Sequence, residues 1–305
     1  MKIDNLIYVE IKPKSRLKFY FWSGPYRLPK KKQMLNTLSE RKIEFVVALG
    51  KHTMNEKCYN RMEKLIKANI GLNVCLLAKD FAHIDNSNKF PKLYNILKRS
   101  PVFKETKEIY IDAEISNKYR NQIRNSAWNQ KIAYIFRNYP SKKEYQKAIK
   151  DYNNLGNLIR YDGKKFGIIR PITAAYEVDK ITRNIPFKEI DQDITVPMVY
   201  RVPMGKEKEY HDYWFYQIAK KEGKNIFLGG IGNGYRSLKT DITICSYLKK
   251  KRVYIYDYYD FQKSCSLKDL KPYKKLKVKK DLWETFKHKT TRAGIQIADK
   301  FLKFF

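Results

Sequence analysis

Short runs rich in β-branched and aromatic residues recur along the chain at positions 17–22, 43–49, 72–78, 108–115, 166–175, 195–201, 225–230 and 252–257. Between them, at 29–41, 54–69, 87–98, 117–138, 206–222 and 237–248, apolar residues return at helical spacing; in 54–69, for example, Met62, Leu65 and Ile66 share one face. Strands that alternate with helices imply parallel pairing through right-handed crossovers. Eight such units in a chain of 305 residues fit a (β/α)8 TIM-type barrel better than an open doubly wound sheet. The fourth connection holds a second helical pattern at 142–153, and the fifth, 176–193, is thin in helical pattern. Residues 280–305 can form a last amphipathic helix through Leu282, Trp283, Phe286, Ile297 and Phe301. With no solenoid repeat and no long flexible linker, the reading is a single α/β domain: a barrel over 1–261, and a basic C-terminal segment over 262–305 that packs on it or extends from it.

Composition supports a folded chain and adds a strong charge. Hydrophobic residues make up 43% and aromatics 14%, including 24 Tyr, which is too much burial potential for a disordered polymer. Lys and Arg number 64 against 31 Asp and Glu, a net charge of +33. A surface of this sign attracts polyanions, whether nucleic acid, anionic wall polymer or lipid headgroups, and a lysine bias serving solubility alone produces the same number. Within 271–280, Lys271, Lys274, Lys275, Lys277, Lys279 and Lys280 stand without an acid, which marks that stretch for polyanion contact. No zinc-finger, basic-zipper or RNP-type signature accompanies the charge. The four cysteines, Cys58, Cys75, Cys245 and Cys265, lie far apart and read as reduced thiols, so neither a metal site nor a disulfide framework is expected, and no cofactor is implied. No apolar run reaches the length of a membrane span and the first twenty residues offer no signal-peptide h-region; the expectation is a soluble protein, cytoplasmic or virus-associated.

In a barrel, chemistry gathers at the carboxyl ends of the strands. The fourth barrel strand reads Ile109-Tyr110-Ile111-Asp112-Ala113-Glu114-Ile115, so Tyr110, Asp112 and Glu114 share one face and the isoleucines the other. With the apolar face toward the helices, both carboxylates point into the barrel mouth. Two neighbouring carboxyl groups in a partly desolvated site hold their protons differently, which is the equipment for cleaving a glycosidic bond. An ion pair with one of the many lysines, or a solvated strand end, accounts for the same short D-x-E spacing. Other strand ends supply candidate substrate contacts in Asp80, Glu177, Tyr200, Arg201, Tyr256, Asp257 and Trp22, with Tyr26, Tyr235 and Tyr258 as further aromatic surfaces for sugar rings. For each tyrosine a core or surface role explains the residue as well. His83 and His211 read as hydrogen-bonded structural residues. The glycine-rich run from Gly229 to Gly234 suits either phosphate binding or close backbone approach.

These residues resemble the glycoside hydrolase barrels, nearest in pattern to the chitinase-type family 18, whose fourth strand carries D-x-x-D-x-D-x-E and whose sixth carries M-x-Y. Asp112 and Glu114 match the end of the first motif, and Met198 and Tyr200 match the second; Lys107 and Tyr110 stand where the family has its first two aspartates. The resemblance implies Glu114 as acid/base, Asp112 as its partner in orienting an N-acetyl group, and Tyr200 as a third contact. Lysozyme-type family 25 barrels share the D-x-E, but the carboxylate that they place on the first strand has no counterpart in Phe19-Tyr20-Phe21-Trp22-Ser23. Two functions follow: a glycosidase acting on an anionic or N-acetylated polysaccharide such as cell-wall material, as a lysin would, or a non-catalytic barrel that binds nucleic acid or another polyanion through its basic surface.

Overall fold

The computed structural model describes residues 8–79, 81–114, 121, 140–171, 185, 187–200, 211–229 and 237–280. The eight parallel strands β2 (Lys18–Ser23), β3 (Glu44–Gly50), β4 (Leu72–Leu77), β5 (Thr106–Asp112), β6 (Lys165–Pro171), β7 (Ile194–Tyr200), β8 (Asn225–Gly229) and β9 (Arg252–Tyr256) follow one another in a closed barrel. The expected TIM-type architecture is therefore present, with each strand within a few residues of its sequence window. Contacts group the chain into two units, one drawn from Met1–Ser23 and Pro197–Gly294, the other from Gly24–Val196 and Ile295–Phe305.

The second of these units holds β3 to β6 and the helices α1 (Lys32–Glu40), α2 (Glu56–Lys67), α3 (Lys89–Lys98) and α4 (Lys142–Tyr161). Local chemistry starts the helices where they start. Asn55 Oδ1 accepts from the Cys58 amide at 3.1 Å ahead of α2, and Ser141 and Glu144 form a reciprocal capping box at α4. Helix α4 buries Tyr145, Ala148, Tyr152, Leu155 and Ile159 along one stripe. It runs eight residues past the expected 153 because Gly156, a poor helix former, lies where an added Cβ would come within 2.9 Å of Phe166. Packing against the sheet outweighs its propensity. That contact also fixes the facing of β6: Phe166 looks out at α4, so Gly167 and Ile169 look in.

The other unit holds β2, β8, β9 and Pro197–Tyr200 of β7, with α5 (Asp212–Lys221), α6 (Leu238–Tyr247) and α7 (Tyr258–Ser264). Phe21 packs on Tyr258 and Phe261 of α7, at ring centroids of 5.2 and 4.7 Å, so Tyr20 and Trp22 take the inward face of β2. The strand expected over 252–257 is present and one residue shorter. The strand stops at Tyr256, the Tyr256-Asp257 peptide is cis, and Asp257 Oδ1 caps α7 by accepting from the Asp260 amide at 2.9 Å. An antiparallel pair of short strands, β1 (Tyr8–Ile11) and β10 (Leu276–Lys279), lies outside the barrel order and is absent from the sequence reading. Ile11 and Val278 are buried while Glu10, Lys277 and Lys279 are exposed, the alternation of a two-stranded ribbon with one covered face. The expected helices over 117–138 and 280–305, and most of the fifth connection, lie outside the described residues. No helix among the described residues is long and apolar enough to cross a membrane.

Candidate functional site

Asp112 closes β5 in register with Ile169 of β6, and Tyr110 stands beside Gly167. Since Gly167 faces inward, so do Tyr110 and Asp112. The ladder continues one residue further through Ala113 N–H to Ile169 O at 2.8 Å, which carries the alternation toward Glu114, just past the strand end. Both carboxylate residues are buried, Asp112 at 8% and Glu114 at 7% exposure, so the solvated strand end is excluded. Beneath them Tyr110 donates its hydroxyl to Glu108 Oε2. The Cys75 thiol, in register with Tyr110, is pushed well above its usual range by burial and secondarily by the charge of Asp112. This thiol is thereby held neutral and unreactive.

The loop after β4 braces the same strand end. Ala82 N–H donates to Asp112 O at 2.7 Å, fixing the backbone of the carboxylate. His83 is buried, and its Nδ1 accepts from the Asp85 amide at 3.2 Å, while the Tyr152 hydroxyl donates to His83 O at 2.9 Å. His83 therefore serves as a turn cap, in line with its structural reading. Asp80, one of the expected contacts, lies outside the described residues, as do Glu177, Arg201 and Tyr235.

In the unit that carries β2, β8 and β9, an aromatic cluster forms around Phe227, a residue that the sequence reading did not single out. Its ring meets Trp22 edge-on at 5.6 Å and lies 6.2 Å from each of Tyr200, Tyr254 and Tyr256. Trp22 is nearly covered at 5%, whereas Tyr256 is 42% exposed and has ring surface to offer a ligand. The Tyr200 hydroxyl donates to Met198 Sδ at 3.2 Å, and its ring occupies the space above Gly229, where an added Cβ would fall 2.1 Å away. Gly229 thus answers to close approach of a side chain; the rest of the glycine run lies outside the described residues. Asp257 is buried and its Oδ1 caps α7, and Tyr258 is a core residue at 1% exposure. Tyr26 is 45% exposed, with Arg61 and Lys57 over its ring at 5.3 and 6.0 Å. His211 is exposed at the start of α5.

The expected polyanion-binding lysines divide by neighbour. Lys275 pairs with Glu10 at 2.8 Å, and Glu10 also holds Lys12 at 3.1 Å. Both cations keep the Glu10 carboxyl below its usual range, Lys275 first. Lys274, Lys277 and Lys279 are exposed, and Lys280 is half-buried.

No known family profile matches the chain, and no curated protein matches it. Solved structures that it is similar to include a GH18 chitinase from Pseudoalteromonas aurantia, at 10% identity, covering 81% of this chain and 96% of that one with a TM-score of 0.44. The PgaB glycoside hydrolase domain from Bordetella bronchiseptica matches at 10% identity over 81% and 96% of the two chains, with a TM-score of 0.45. A xylose isomerase-like TIM barrel protein from Mycobacterium smegmatis matches at 10% identity over 74% and 81%, with a TM-score of 0.39. Fold-level likeness of this kind says nothing of reaction type.

Proposed function

We propose that the protein is a glycoside hydrolase-like enzyme that cleaves a glycosidic bond in an anionic or N-acetylated polysaccharide, such as cell-wall material, with Glu114 as acid/base and Asp112 as its partner. The observation that carries this reading is the buried Asp112/Glu114 pair at the carboxyl end of an inner barrel strand. Burial of two acids two residues apart is costly and persists where chemistry or pairing compensates it. In the reaction, Glu114 delivers a proton to the leaving sugar oxygen, and Asp112 orients the reacting group. In the other unit, the exposed ring of Tyr256 is by itself a candidate stacking surface for a sugar.

The test is a hydrolysis screen against peptidoglycan and chitin-like polymers. Glu114→Gln keeps the shape and removes the proton donor, so turnover falls at least about a hundredfold while binding survives. Asp112→Asn is also impaired, and the double variant loses little more than the worse single one, because the pair acts as a unit. Undiminished cleavage by Glu114→Gln of a polymer that the wild type cleaves would return both carboxylates to a structural role.

A further inference from the structure

Besides the C-terminal lysine run, the unit carrying β2, β8 and β9 has a second concentration of positive charge on the approach to β2. Exposure alternates along Lys12-Pro13-Lys14-Ser15-Arg16-Leu17-Lys18: the four cations are exposed, and Pro13, Ser15 and Leu17 are half-buried. The half-buried residues hold the segment down. Ser15 Oγ donates to Ser246 O at 3.0 Å, Ser15 N–H donates to Ser246 Oγ at 3.3 Å, and Lys18 N–H reaches Lys251 O at 3.0 Å. This last bond lays the strip beside a second basic run, Lys249-Lys250-Lys251-Arg252, in which Lys249 and Lys251 are exposed. Lys250 is buried in a different task, donating to Glu222 O and Gly223 O at 2.7 Å each. Lys251 N–H in turn reaches Lys224 O at 2.7 Å, which adds exposed Lys224 to the surface. Neither run contains an acid; the carboxylate of Glu10 lies at one end, on Lys12.

We infer that this strip is a docking surface for single-stranded nucleic acid, gripped through its phosphate backbone. Several features favour that partner. Cations project in rows from an anchored backbone, so little chain ordering is left to oppose binding. Arg16 adds a planar fork suited to phosphate oxygens. The chain bends at Ser15, and a flexible single strand follows a bent row more readily than a stiff duplex does. The strip also lies at the amino end of β2, a strand's length from Trp22 and Tyr256 at the carboxyl ends. A grip for the polysaccharide being cleaved belongs beside those carboxyl ends, so this surface serves a separate polyanion and stands whether or not the carbohydrate reading does.

The experiment measures binding of a fluorescent oligothymidylate to the full chain across a salt series. In the variant Lys12→Gln/Lys14→Gln/Arg16→Gln/Lys18→Gln, the slope of log K against log salt becomes shallower by about 3, since each single-strand phosphate contact contributes about 0.7. The variant Lys64→Gln/Lys67→Gln/Lys92→Gln/Arg99→Gln removes the same charge from exposed positions on α2, on α3 and at the cap that follows α3, and it keeps nearly the wild-type slope. Should the fourfold strip variant fail to fold, Lys14→Gln/Arg16→Gln is used, with an expected change of about 1.4. Equal slope changes in strip and control variants would reduce the effect to net charge and overturn the proposal. Tighter, strip-dependent binding of duplex DNA or polygalacturonate at the same salt would overturn it in favour of that partner.

Discussion

Tyr110 and Gly167 show how single residues set the interior beneath the acid pair. The Tyr110 ring is fully buried, and its Cδ1 and Cε1 would lie 2.4 and 2.5 Å from a Cβ placed on Gly167. Its hydroxyl is tethered to Glu108, so the ring has little freedom to retreat. Gly167→Ala is therefore expected to cost about 1–3 kcal/mol in urea denaturation through overpacking. Adding Tyr110→Leu should recover part of that loss, a coupling expected only of residues in contact; an additive double variant would disprove the clash. The inward turn of Asp112 was legible from alternation alone, because apolar residues on the opposite face determine which way an acid on the strand turns. Phe227 was not legible, since an apolar residue in an apolar strand reads as core whatever it touches. The capping role of Asp257 was not legible either: an aspartate after a strand is as suited to capping the next helix as to holding a ligand, and the sequence does not show the Asp260 amide that it accepts from.

At the scale of elements, α3 and α4 are joined by one carboxylate. Asp162, just past α4, accepts from Lys98 Nζ at 2.7 Å and from the Tyr94 hydroxyl, and these bonds, Lys98 first, hold its carboxyl below its usual range. A depressed carboxyl contributes stability that is present above its unfolded pKa and lost as pH falls through the folded one. Asp162→Asn should therefore be less stable than wild type near neutrality, with the gap closing below about pH 4. Denaturation midpoints between pH 2 and 7 measure it, and a gap that persists at pH 2 would assign the effect to shape instead of charge. The barrel strands were readable because β-rich runs alternate with helical spacing, while β1 and β10 escaped notice because each has four residues and their pairing joins the two ends of the described chain. No local pattern encodes a contact of that separation. The extension of α4 through Gly156 was hidden likewise, since the strand that favours it comes later in the chain.

For the whole molecule, the net charge of +33 governs how stability responds to salt. Acids are so outnumbered that Glu10 is shared by two lysines, and the folded state concentrates like charges that the unfolded chain spreads apart. Salt has two opposed effects. It weakens exposed ion pairs such as Lys147 with Asp151 at 3.0 Å, each worth about 0–1 kcal/mol, and it screens repulsion among the uncompensated cations. With about twice as many bases as acids, the second effect is the larger, because screening shortens the reach of every like-charge pair to about 10 Å at 0.1 M. The melting temperature at pH 7 should therefore rise as sodium chloride increases from about 10 mM to 150 mM, the range over which the Debye length falls from about 30 to 8 Å. Potassium chloride should act equally if screening is the cause. A bound anion would instead stabilise by mass action, and sulfate would then exceed chloride at matched ionic strength well below the concentrations of general salting-out. A melting temperature that falls steadily with sodium chloride would mean that ion pairs, few as the acids are, outweigh the repulsion, and that the excess cations lie too far apart in the fold to oppose it.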